Sequence, residues 1–284
     1  MKNFVSNAKT LAGACALLLL LCGAARAELA QLRGQMVQGG IIFGTTQPGA
    51  KVMLDGREVR VSPAGLFVFD FGSDAAGAAE PVVEVPGKAR EARKLSIAKR
   101  EYQVQRVDGL PQKMVTPPPE VLERIRKDAE LVAAARAVDR PEALFAGGFV
   151  WPAFGPISGV FGSQRILNGE PKRPHFGIDI AAPEGTPVRA PADGVVSVAE
   201  SDMYYTGGTV VLDHGHGLTT AYSHLKDVTV QVGQVLRQGD LLGTVGSTGR
   251  STGPHLDWRV NWFEERLDPA FLVPPMPASE AKAN

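Results

Sequence analysis

Short runs of alternating apolar and polar residues, punctuated by Gly, Pro and Asp-Gly, fill most of the chain from Glu28 onward and predict strands rather than helices. Lys51-Val52-Met53-Leu54 and Arg57-Glu58-Val59 flank Asp55-Gly56, a two-residue hairpin signal, because Gly tolerates the positive φ of such turns. In Leu66 to Phe71, alternation predicts Phe67, Phe69 and Phe71 on one face and Asp70 on the other. Val82 to Val85, Lys94 to Ile97 and Tyr102 to Val107 complete a small all-β module over 28–115. The pattern then changes. Thr116-Pro117-Pro118-Pro119 breaks the chain, and Val121, Ile125, Ala129 and Val132 recur at helical spacing, predicting an amphipathic helix from Glu120 to Ala137 that Arg140-Pro141 ends. With its Pro-rich lead this connector occupies 116–145. Strand-like runs return in Gly194 to Ala199, Thr209 to Asp213, Leu218 to His224 and Leu241 to Val245, giving an antiparallel β domain over 146–273. A small, polar, flexible tail, 274–284, follows. The expected architecture is mainly β: a small N-terminal module, a helical connector and a larger C-terminal domain.

The first 27 residues read differently. Lys2 and Lys9 precede an apolar run from Leu11 to Cys22, and Ala25-Arg26-Ala27 offers small residues for cleavage, the three-part pattern of a signal peptide. A retained membrane anchor is the alternative. Cleavage after Ala27 removes both cysteines, so the exported chain has no disulfides and relies on its cores. The full chain has 30 Lys+Arg against 30 Asp+Glu, and loss of Lys2, Lys9 and Arg26 leaves 27 against 30. That balance removes the electrostatic case for nucleic-acid binding. No later apolar run is long enough to span a bilayer, and the expected location is the periplasm.

Chemistry-bearing residues gather in the C-terminal domain. All five histidines, His175, His214, His216, His224 and His255, lie there, and histidine is both a metal ligand and a general base. Three segments stand out. In Arg173-Pro174-His175-Phe176-Gly177-Ile178-Asp179, extended chain puts His175 and Asp179 on one face, fit to close on a metal ion or to hydrogen-bond each other. In Thr219 to Leu225, alternation pairs Tyr222 with His224 on one face. In Thr252 to Arg259, His255, Asp257 and Arg259 share a face, while Leu256, Trp258 and Val260 turn toward a core. The N-terminal module carries no histidine or cysteine and is expected to be structural or to bind a protein partner.

Taken together, the His175–Asp179 segment, Tyr222-Ser223-His224-Leu225 and Gly253-Pro254-His255-Leu256 resemble the lysostaphin/LytM family of zinc peptidoglycan endopeptidases. The intervening Ala190 to Val196, Asp213 to Leu218 and Gly246 to Gly249 agree. The resemblance covers about residues 150–265. It implies the family's compact antiparallel β unit, with a groove floored by sheet and walled by loops. It also implies one Zn²⁺ on His175, Asp179 and position 257, with His224 and His255 contacting water and transition state. Tyr222 could assist at the oxyanion or simply pack in the core. The segment carrying His214 and His216 matches a turn outside the family's site.

At position 257 the chain departs from the family, with Asp where His is expected. A carboxylate oxygen ligates zinc at about the same distance as imidazole nitrogen, so the site can survive. The added negative charge weakens the activation of water, which Arg259 on the same face could offset by pairing with Asp257. The main expectation is an exported zinc metalloendopeptidase cutting peptide bonds of peptidoglycan stems or cross-links. The rival is a catalytically inactive LytM-like regulator that binds and activates another wall hydrolase. A third possibility is an exported metallopeptidase acting on proteins. Loops Gln164 to Lys172 and Ser201 to Gly208 would set specificity, and the connector helix is a candidate to occlude the groove.

Overall fold

The computed structural model describes residues 29–277, so residues 1–28, where the signal peptide is expected, and 278–284 of the expected tail lie outside it. Strands dominate, and among the described residues no helix is long and apolar enough to cross a membrane.

The N-terminal module follows its turn chemistry. Lys51–Leu54 and Arg57–Val59 pair across Asp55 and Gly56, whose φ values of 48° and 85° make the tight turn. Leu66–Phe71 pairs with Gly40–Thr46, which pairs in turn with Ala30–Gly34. Phe67, Phe69 and Phe71 are buried as expected, but so are Val68 and Asp70. The strand is covered on both faces because the C-terminal domain packs against the module. One apolar cluster joins Ile41, Phe67 and Phe69 to Phe145, Phe149, Leu218, Trp262 and Leu267.

The C-terminal sheet runs, in spatial order, Ile157–Gly159, Ile178–Ala181, His255–Trp262, Leu218–Val228, Gly207–Asp213, Gly194–Met203 and Val235–Leu236, all antiparallel. One face packs Val196, Val210, Leu212, Tyr222, Leu256 and Trp258 into a closed core. Residues paired directly across strands share a face. Asp179 opposes Asp257, Asp257 opposes Ser223, and Arg259 opposes Ala221, so these line the other face.

The connector begins as a 3₁₀ turn at Pro119–Val121 and becomes the α-helix Leu122–Arg136. Its half-buried and buried positions, Ile125, Asp128, Val132, Ala135 and Arg136, follow the helical period. Val132 and Ala135 pack on Val198, Met203, Val211 and Ala221, on the sheet face that also carries Asp257 and Arg259. A pairing that local pattern could not foretell brings Val104–Val107, at the end of the N-terminal module, parallel to Gln164–Leu167.

Candidate functional site

His175, Asp179 and Asp257 converge with potential ligand atoms all within 4.8 Å of one another. Adjacent strands bring the two carboxylates together, Asp179 on Ile178–Ala181 opposing Asp257 on His255–Trp262. His175 enters from the preceding loop, held by Gly162 and Ser163 backbone bonds. Two glycines make the room. A Cβ at Gly159 would stand 2.3 Å from Asp179 Oδ2, and one at Gly177 would stand 2.6 Å from Asp257 Oδ1.

The three side chains are buried, yet several of their polar atoms lack a hydrogen-bond partner. His175 Nε2 and Asp179 Oδ1 lie 3.0 Å apart without hydrogen-bond alignment, and His175 Nδ1 is likewise unpartnered. Buried polar atoms are otherwise nearly always satisfied. One imidazole and two carboxylates around a common point are a donor set that suits zinc.

Each carboxylate has its own arginine. Arg165 Nη2 donates to Asp179 Oδ2 at 2.6 Å, and Arg259 holds Asp257 through Nε at 3.0 and 3.1 Å and Nη2 at 2.5 Å. Burial opposes charge on Asp257, but Arg259 outweighs it and holds the carboxyl well below the usual range. Asp179 is also held low: burial opposes ionisation, and His175 and Arg165 overcome it against the repulsion of Asp257.

His224 and His255 stand beside this trio with ring centroids 4.7 Å apart, and His255 Nε2 is 3.8 Å from Asp179 Oδ1. His224 Nδ1 donates to the Thr248 carbonyl and His255 Nδ1 to the Gly253 carbonyl, each at 2.8 Å. A carbonyl only accepts, so these bonds place a hydrogen on Nδ1 of both rings, and in the neutral form of each the lone pair is on Nε2. Burial and the neighbouring His255 push His224 down to about 4, favouring the neutral base.

The expectation that Tyr222 and His224 share a face does not hold. His224 has φ 65° and the pairing with Gly207–Asp213 slips between Val210↔Tyr222 and Gly208↔Leu225. This bulge sends both Tyr222 and Leu225 into the core and frees His224 for the site. Tyr222 bonds Thr220 there at 2.7 Å, away from the trio. His214 is a core residue between the Asp193 carbonyl and Thr220, and His216 bonds the Pro141 carbonyl.

A cleft of about 270 Å³ opens over the site, lined by Gln105, Val107, Arg165, Asp179, Arg250 and His255 among others. No residue of the connector helix lines it, so the helix does not plug this opening; the Val104–Leu110 stretch forms the wall instead. Arg165, Arg250 and Gln105 were not singled out by sequence. Their roles depend on distant strands meeting, for which local spacing carries no signal.

Residues 173–269, which carry this constellation, match Peptidase family M23. The match lies within the C-terminal domain. The chain is 45% identical over 121 residues to DD-carboxypeptidase/endopeptidase Mpg of Neisseria meningitidis serogroup B, a match covering 43% of this chain and 28% of that protein. It is 44% identical over 106 residues to peptidoglycan DD-endopeptidase ShyA of Vibrio cholerae, covering 37% of this chain and 24% of the relative. The chain thus spans about a quarter of the length of these curated relatives. A crystal structure of a putative peptidase M23 from Pseudomonas aeruginosa superposes with TM-score 0.65 at 28% identity, covering 84% of this chain and 95% of that one.

Proposed function

We propose that the protein is an exported zinc metalloendopeptidase that hydrolyses peptide bonds in peptidoglycan stems or cross-links, acting in the periplasm. The observation that carries this reading is the buried trio His175, Asp179 and Asp257, in which both His175 nitrogens and Asp179 Oδ1 are unpartnered, beside the imidazoles of His224 and His255. Similarity to proteins named DD-carboxypeptidase/endopeptidase and peptidoglycan DD-endopeptidase supports the substrate class. The trio would hold one Zn²⁺, which when bound supplies Lewis acidity to polarise the scissile carbonyl and acidify water. Of His224 and His255, one takes the proton of the attacking water at Nε2. The other, once protonated, donates to the developing oxyanion or the leaving amine. The carbonyls of Thr248 and Gly253 keep both rings turned for this exchange. Arg259 balances the extra negative charge that Asp257 brings in place of imidazole. The convergence of all five side chains favours an enzyme over an inactive regulator; a protein partner for the N-terminal module remains compatible with either.

The test is digestion of purified cross-linked peptidoglycan by the zinc-supplied protein, read by chromatography of the released peptides. Loss of cross-linked species is expected, and loss of that activity in His175→Ala. Intact cross-links after incubation with folded, zinc-supplied protein would overturn the reading.

A further inference from the structure

We infer that Arg250, in the wall of the cleft over the metal trio, is a specificity-determining residue that grips a free carboxylate of the peptide substrate. The inference rests on the peptidase reading and names what that cleft selects.

The charges in the cleft do not balance. Besides His255, its lining carries three ionisable side chains, Arg165, Arg250 and Asp179. Asp179 is already held by Arg165, at 2.6 Å. No described carboxylate forms an ion pair with Arg250. One cation is left over in the wall of the space that a substrate must enter.

The guanidinium is nonetheless fixed in place. It stacks over the Tyr205 ring, 4.5 Å from the centroid, and Nη1 donates to the Met114 carbonyl at 3.3 Å. The Arg250 backbone N–H donates to the Tyr205 carbonyl at 2.8 Å. Gly249 permits that approach: its φ is 67°, and a Cβ there would stand 2.6 Å from the same carbonyl oxygen. Nε and Nη2 of Arg250 donate to no described residue, and unlike Arg165 Nε neither is sealed from solvent. Half of the fork is therefore anchored and half is free.

These features give the class of ligand. A peptide that displaces water from the cleft and offers only neutral carbonyls would leave the cation uncompensated, which is costly. A carboxylate balances it, and paired N–H groups of a planar guanidinium match a carboxylate's two oxygens. Because the fork is already immobilised, little freedom is lost on binding. The position follows from the loop between Val245 and His255, which carries both Arg250 and the Thr248 and Gly253 carbonyls that hold the two imidazoles. A compact space of about 270 Å³ is roughly 8 Å across, the length of about two extended residues. The selected carboxylate thus lies within about two residues of the scissile bond, as the peptide's C-terminus or as a branch from its side chain.

The experiment compares a cross-linked stem peptide with forms in which each free carboxylate, C-terminal or branch, is converted in turn to the carboxamide. Initial rates give kcat and KM for the zinc-supplied full chain, and calorimetry gives binding of the same peptides whether or not they are cleaved. One carboxylate is expected to matter by about tenfold or more in binding and in kcat/KM, and its position tells C-terminal from branch recognition. In Arg250→Met, which keeps an unbranched stem against Tyr205, that preference falls to within about twofold, while Arg250→Lys, with the charge but no fork, keeps part of it. Should Arg250→Met not fold, Arg250→Gln serves the same comparison. Equal binding of all acid and amide forms by the wild type overturns the site. So does a preference that persists in the folded variant, the result expected if the metal or Arg165 holds the carboxylate. Acid-selective binding without turnover would fail the hydrolase reading and keep this one; turnover indifferent to every carboxylate would do the reverse.

Discussion

Asp257 is 1% exposed, and its ionisation in that setting depends on Arg259, the residue two positions along the same strand. Removing one partner of a buried pair leaves the other charge unsolvated, at a cost of about 3–5 kcal/mol. Arg259→Met is therefore expected to lower the stability of the metal-free protein by about that amount in urea unfolding. Zinc should return part of the loss, since a cation again faces the carboxylate. Equal stability of variant and wild type without metal would show that Arg259 is not what sustains Asp257. The pair was legible in the sequence because a strand sets residues 257 and 259 on one face. Arg165 was not: its contact with Asp179 joins two sheets, and nothing in the run Gln164 to Lys172 announces it.

At the scale of elements, the site depends on how closely strands approach. The Gly177 segment lies against the His255–Trp262 strand so tightly that a Cβ would stand 2.6 Å from Asp257 Oδ1 and 2.7 Å from both Arg259 Cγ and the Trp258 carbonyl oxygen. Gly177→Ala must push that segment outward, a cost of about 1–3 kcal/mol by overpacking. A lower melting temperature and weaker zinc binding are expected; a variant unchanged in both would mean the segment yields freely. The strands themselves were readable from alternation, as was the helix from its period. The bulge at His224 was not, because a positive φ at a non-glycine residue is imposed by pairing with Gly207–Asp213 and has no local sequence mark. The parallel pairing of Val104–Val107 with Gln164–Leu167 escaped for the same reason.

At the scale of the molecule, module and domain share an apolar core, and Asp70 is buried in that region with Oδ2 unpartnered. Burial and the nearby Glu265 raise its carboxyl from 3.8 to about 7, with Arg57 only partly opposing them. Below about pH 4 the group is protonated both folded and unfolded and costs nothing. Between about pH 4 and 7 only the unfolded chain ionises, so stability falls as pH rises, by about 4 kcal/mol once the folded pKa is passed. Asp70→Asn is expected to remove this fall, so that the variant gains on the wild type as pH increases. Parallel pH–stability curves for the two would refute it. Sequence alternation puts Asp70 on the face opposite Phe67, Phe69 and Phe71; that this face is covered too is something a strand read in isolation cannot show. The carriers of chemistry fared better, since His175, Asp179, His224, His255 and Asp257 lie in three short segments and meet within one sheet and its edge loop.

In the proposed function Asp257 completes a zinc site with His175 and Asp179. The most direct measurement is a zinc titration of the purified full chain beside Asp257→Asn, which keeps the side chain's shape and removes its charge. One zinc per wild-type chain is expected, with binding weakened by tenfold or more in the folded variant, on the order of a lost charged ligand contact. One zinc bound equally tightly by both proteins, or none bound by the wild type, would contradict it.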